Sequence, residues 1–133
     1  MKGLDTNVLV RYLTQDHQKQ AQLAAREIEG AAANGEKLVI QPLVLCELVW
    51  VLASAYDFPK PQIVAVLESI MRTAQFEIAD KNTVWQALND YQKEKGDLSD
   101  YYIGRSNEKV GANVTLTFDK SLKDNKRFSL IGA

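Results

Sequence analysis

A chain of 133 residues that is 46% hydrophobic and 25% charged has the make-up of one ordinary globular domain, which excludes a disordered chain and needs no disulfide framework. Its one cysteine, Cys46, and one histidine, His17, exclude an internal disulfide, a Cys/His zinc site and hydrolysis by paired histidines. A net charge of −1 gives no overall basic excess for nucleic acid, but it leaves room for a compact acidic site.

In chain order, MKGL reads as a short buried strand ending at Asp5. Apolar residues at 8, 9, 10, 12 and 13 predict a short helix entered at Asp5-Thr6-Asn7. Asp16 is expected to cap a longer amphipathic helix reaching Asn34-Gly35, with Leu23, Ala24 and Ile28 on its inner face. KLVIQ predicts a second strand, and Pro42 suits the first turn of the next helix. That helix, LVLCELVWVLASAYD, is apolar almost all round and is expected to be buried, with Cys46 as an inert core thiol. His17 lies in the polar stretch QDHQKQ and is expected to be solvated.

FPKP stops the buried helix, IVAVLESIMRTA predicts another, and QFEIA a third strand. Asp80 is placed to cap a helix carrying Val84, Trp85, Leu88 and Tyr91, with Gly96 as its stop. A further helix starts between Asp97 and Ser99 and ends near Gly111. NVTLTF alternates, is β-branched and ends on Asp119; FSLI gives a last, edge-like strand. Strands alternating with helices predict an α/β fold, one domain over residues 1–133 with a mainly parallel central sheet flanked by helices. No apolar run is long enough for a bilayer and no signal-peptide pattern is visible, so a cytoplasmic protein with no membrane segment is expected.

The chemistry lies in the acids. Ligands of an open parallel sheet bind outside the carboxyl ends of its strands, and two strands here run into Asp5 and Asp119. Glu47 is the one charge between Pro42 and Tyr56, in a helix where an unpaired carboxylate is costly. Asp97 and Asp100 are three residues apart in GDLSDYYIG, on neighbouring parts of one helix face. Close carboxylates repel unless a cation intervenes, and oxygen-only ligation suits Mg²⁺ or Mn²⁺. Open coordination positions for a phosphate and a water then give the chemistry of a metal-dependent phosphodiesterase. Each acid has a plainer alternative: Asp5 and Asp97 as helix caps, Asp119 as the start of a turn, Glu47 paired with a buried Arg or Lys.

LDTNVLVRYL, CELVWVL, GDLSDYYIG and TLTFDKSL, in this order, resemble a PIN domain, most closely the VapC type of toxin from prokaryotic toxin–antitoxin pairs. The resemblance covers nearly the whole chain. It implies a Mg²⁺- or Mn²⁺-dependent ribonuclease that cuts single-stranded or loop RNA, with transfer RNA among the candidate substrates. It further implies a homodimer held inactive by a cognate antitoxin protein. On this reading Asp5, Glu47, Asp100 and Asp119 are the catalytic and metal-binding acids. Asp97 is an accessory ligand, and Asn7 and Thr117 orient the carboxylates. YYIG departs from the small residues often found after the second Asp, and Tyr101 and Tyr102 are expected to pack rather than to catalyse.

Candidate phosphate contacts are Arg11, Arg105 and Lys109, with Lys120, Lys123, Lys126 and Arg127 after Asp119; solvated helix faces are the plainer reading. Three rivals remain: a phosphatase with an aspartyl nucleophile, disfavoured by Asn7 where a second Asp is usual; an RNA-processing nuclease without a toxin role; and a non-catalytic dimeric binding module.

Overall fold

The computed structural model describes residues 1–132. They divide into two compact units, Met1–Asp80 and a second that begins at Lys81. The first contains β1 (Lys2–Gly3), α1 (Thr6–Thr14), α2 (Gln18–Ala33), β2 (Leu38–Ile40), α3 (Pro42–Ser54), α4 (Lys60–Arg72) and β3 (Phe76–Ile78). Its sheet runs β1-β2-β3, with both pairs parallel. Lys2 lies opposite Leu38, and Ile40 opposite Ile78. Parallel neighbours need a long crossover, and each crossover here is a pair of helices. Leu38, Ile40, Phe76 and Ile78 are buried, so β2 and β3 supply the sheet side of this core. β1 is shorter and more open than expected, with Lys2 and Gly3 exposed at the sheet edge.

Two expectations about α2 are corrected. Its N-cap is His17, in extended conformation, whose Nδ1 accepts from the Gln20 backbone N–H at 3.2 Å. Asp16 is taken by other donors: Tyr56 Oη at 2.6 Å, Thr14 Oγ1 at 3.0 Å and Arg11 Nη1 at 3.3 Å. The Tyr56 hydroxyl, then that of Thr14, holds the Asp16 carboxyl below the usual range. Between α1 and α2 the chain turns at Gln15, whose φ of 61° is left-handed. The buried stripe of α2 is Ala21, Ala24, Ile28 and Ala31, and Leu23 falls beside it, 49% exposed.

Helix α3 has Pro42 in its first turn, as expected. Cys46 is buried and free. The helix is not covered all round, because Leu43 and Trp50 are exposed. These two and Glu47 are spaced i, i+4, i+7, so they share one helix face.

The second unit contains α5 (Lys81–Lys93), α6 (Leu98–Lys109), β4 (Thr115–Thr117), a 3₁₀ turn (Lys120–Leu122) and β5 (Phe128–Leu130). β4 and β5 are parallel, with Thr115 opposite Phe128 and Thr117 opposite Leu130. Asp80 immediately precedes α5 with a φ of 53°, where a capping residue is ordinarily extended. Tyr101 is a core residue: it is 1% exposed, its hydroxyl accepts from the Gly96 N–H at 2.7 Å, and its ring meets Phe128 edge-on at 6.4 Å. Gly104 gives Phe128 the space it needs, since a Cβ there would lie 2.7 Å from Phe128 Cζ.

Among the described residues every strand pair is parallel, and α-helices separate all successive strands except β4 and β5, which flank the 3₁₀ turn, so the fold is α/β as expected. Among the described residues no helix is long and apolar enough to cross a membrane.

Candidate functional site

In the first unit, Asp5 follows β1 and caps α1. It is extended, with φ −86° and ψ 160°, and its Oδ1 accepts from the Thr6 N–H at 2.7 Å. Thr6 is buried, and its hydroxyl donates to Glu47 Oε1 at 2.7 Å. One turn of α1 is thereby tied to the middle of α3. Glu47 is half-buried, and within this unit its donor is a hydroxyl rather than the buried Arg or Lys that would be the plainer explanation. The carboxylate contact expected of Asn7 is made by Thr6. Asn7 is exposed and lines a groove of about 300 Å³ with Val8, Arg11 and Leu23.

A half-buried carboxylate that loses its donor loses stability. Thr6→Val is therefore expected to lower unfolding free energy by about 1–2 kcal/mol in urea titrations. Thr6→Ser, which keeps the hydroxyl, should recover most of it. Equal stability of the Val variant and the wild type would show that the bond contributes nothing.

In the second unit, Asp97 is the extended N-cap of α6. Asp100, in the first turn, reaches back so that its Oδ2 accepts from the Asp97 N–H at 2.9 Å, the returning half of a capping box. Burial raises the Asp100 carboxyl above its ordinary value; the Asp97 N–H opposes this, and the charges of Asp97 and Asp119 add to it. Asp119 lies two residues beyond β4, where it caps the 3₁₀ turn. Its Oδ1 accepts from the Ser121 N–H at 2.9 Å and from the Ser121 hydroxyl at 2.7 Å. The Ser121 hydroxyl, then its N–H, lowers the Asp119 carboxyl. Thr117 Oγ1 accepts from the Asp119 N–H at 3.0 Å, so Thr117 braces the backbone of Asp119 and not its carboxylate.

The sequence-predicted acids thus form two local groups, Asp5 with Glu47 through Thr6, and Asp97, Asp100 and Asp119 within electrostatic reach of one another. The contacts missed from sequence are Thr6 to Glu47 and Ser121 to Asp119. The second carried a local signal, an Asp-x-Ser spacing that favours a side-chain turn; the first had none.

The donor chemistry fits a hard divalent cation, because these are oxygen ligands whose mutual repulsion a cation would relieve. Among the described residues, no three or more His, Cys, Asp or Glu side chains are arranged to hold a metal ion.

The candidate phosphate contacts sort clearly. Arg105 is committed to Asp90 by two bonds of 2.8 Å, Arg127 to Glu108 at 3.1 Å, and Arg11 to Gln20 and Asp16. Lys109 donates to Thr83 Oγ1 at 3.2 Å. Lys120, Lys123 and Lys126 are exposed.

Parallel α/β architecture with acids after β1 and β4, in mid-α3 and at the start of α6 describes a class that comparison with known proteins defines. The PIN domain family matches residues 3–127, and the chain belongs to that family. It is 28% identical over 123 residues to a VapC ribonuclease of Aquifex aeolicus (strain VF5), covering 92% of this chain and 90% of that protein. No solved structure matches the chain.

Proposed function

We propose that this protein is a metal-dependent endoribonuclease and the toxin of a type II toxin–antitoxin pair. The observation that carries the reading is the PIN match over residues 3–127, which contains all five candidate acids. Similarity to a VapC ribonuclease supports RNA as the substrate.

In this reading Asp5, Glu47, Asp100 and Asp119 would hold Mg²⁺ or Mn²⁺, with Asp97 as an accessory oxygen ligand. When bound, the cation polarises the scissile phosphate and lowers the pKa of a bound water. The chain's own residues do the positioning. Thr6 fixes one oxygen of Glu47, Asp97 restrains one oxygen of Asp100 through its N–H, and Thr117 braces the backbone that carries Asp119. Asn7, beside Asp5, is an exposed polar group at the start of α1. The exposed Lys120, Lys123 and Lys126 neutralise RNA phosphates. Attack by water forms one P–O bond as the bond to the leaving ribose oxygen breaks, the water giving up a proton to solvent and the leaving oxygen taking one up. The protein works in the cytoplasm as a homodimer of single-domain chains, and a cognate antitoxin inhibits it.

Purified, antitoxin-free protein incubated with total RNA and defined transfer RNAs tests the proposal. Discrete cuts are expected with Mg²⁺ or Mn²⁺ and not with EDTA. Cleavage that persists in EDTA would overturn the metal requirement. RNA binding without cleavage, by folded and metal-loaded protein, would replace the nuclease with a binding module.

A further inference from the structure

We propose that Ser121 is a positioning residue that presents Asp119 to the metal, an inference that rests on the reading of Asp119 as a metal-site acid. Both donors of Ser121 converge on one oxygen: the N–H at 2.9 Å and the hydroxyl at 2.7 Å both reach Asp119 Oδ1. Among the described residues of this unit, the hydrogen bonds to the carboxylate all fall on Oδ1 and leave Oδ2 open. Starting the 3₁₀ turn requires only the backbone bond, since an N-cap satisfies an orphan N–H. The hydroxyl bond is additional, and its effect falls on the carboxylate.

Asp119 is exposed and lies just past a strand end, where an unrestrained side chain would sample several rotamers. Each would have to be frozen when a cation binds, which weakens binding. Here the backbone is held from one side by Thr117 Oγ1 at 3.0 Å and the carboxylate from the other by Ser121. The side chain is thus fixed before any cation arrives, with one oxygen committed and one left to coordinate. Groups that orient metal ligands in this way are typically worth 10–100-fold in metal affinity or activity. Ser121 itself is half-buried, and its hydroxyl donates to Asp119 Oδ1.

Ser121→Ala and Ser121→Thr test the inference, with Mn²⁺ binding measured by calorimetry without RNA and cleavage measured across a metal titration. Ser121→Ala should bind Mn²⁺ about 10-fold more weakly and need correspondingly more metal for half-maximal cleavage, with KM for RNA little changed. Ser121→Thr, which keeps the hydroxyl, should restore both. Circular dichroism reports that each variant is folded. Wild-type affinity in folded Ser121→Ala, or a Thr variant as impaired as the Ala variant, would overturn the proposal. Wild-type protein that binds Mn²⁺ without cutting RNA would sink the nuclease reading alone, and the binding comparison would still decide the role of Ser121. Wild-type protein that binds no Mn²⁺ would sink both.

Discussion

Asp100→Asn is expected to silence RNA cleavage while making the metal-free protein slightly more stable. Loss of activity follows from the proposed role: an amide is a poorer ligand for a hard cation than a carboxylate, and removing one such electrostatic element costs about 100-fold or more in rate. The gain in stability follows from the environment. Burial, and then the Asp97 and Asp119 charges, raise the Asp100 carboxyl above its unfolded value. A raised acid is stabilising in its protonated form. Its contribution is fully present below the unfolded pKa, and it is lost as pH rises through the folded pKa. At neutral pH the wild type therefore carries a penalty that Asn removes. The amide oxygen can still accept from the Asp97 N–H, so the capping bond of 2.9 Å survives. Because Asp100 is only half-buried, solvent screens the effect, and the expected rise in Tm is about 1–2 °C. The difference should shrink as pH falls into the carboxylate range, and Mg²⁺ or Mn²⁺ should narrow it by stabilising only the wild type. A variant that cuts RNA at the wild-type rate would remove Asp100 from the site or expose a contaminating nuclease. A variant less stable at neutral pH would show that the carboxylate is held by something other than a cation.

Asp90→Ala is expected to be the more damaging change for the fold. Arg105 Nε and Nη2 each donate to one oxygen of Asp90 at 2.8 Å. The side chains are 17% and 11% exposed respectively, so the pair is largely removed from water. It joins α5 to α6, the helix whose first turn carries Asp100. Such a fork is geometrically specific, but its importance lies in the asymmetry of losing half of it. Removing Asp90 strands a guanidinium that cannot give up its proton. Breaking a buried pair costs about 3–5 kcal/mol; with the residual exposure here, about 2–4 kcal/mol is expected in denaturant titrations. Replacing both partners, as Asp90→Leu with Arg105→Met, should recover much of that loss, because no charge is then left unpaired. A single variant within about 0.5 kcal/mol of wild type would show that Arg105 finds water or another acceptor. The commitment of Arg105 to Asp90 also explains why it is a poor candidate for RNA phosphate, although its position in the sequence suggested one.

How much of the molecule was legible in its sequence varies with the range of the interaction. The strand–helix alternation, Pro42 at the start of α3, Asp97 at the cap of α6 and the β-branched run of β4 are signals carried within a few residues, and each was readable. So was the list of acids, because a charge inside an apolar helix or at a strand end is conspicuous in one dimension. Capping was legible only to the nearest residue. Asp16 is the better intrinsic cap, yet His17 takes that place because Tyr56, 40 positions away, and Thr14 claim the Asp16 carboxylate. The exposure of Leu23, Leu43 and Trp50 was misread for a related reason. Apolar spacing identifies a face, but which part of that face is covered depends on the neighbouring element.

The sequence by itself determined the α/β alternation, the family, the list of candidate acids and the lack of residues for a Cys/His zinc site or a histidine pair, because these follow from composition and short-range pattern. Only the tertiary structure decided what holds each acid. Thr6 and Glu47 are 41 positions apart, Asp90 and Arg105 are 15 apart, and a hydrogen bond forms only when packing brings donor and acceptor within about 3 Å. Propensity and spacing act along the chain, whereas the state of a carboxylate is set by whatever is packed against it, from whichever part of the chain it comes.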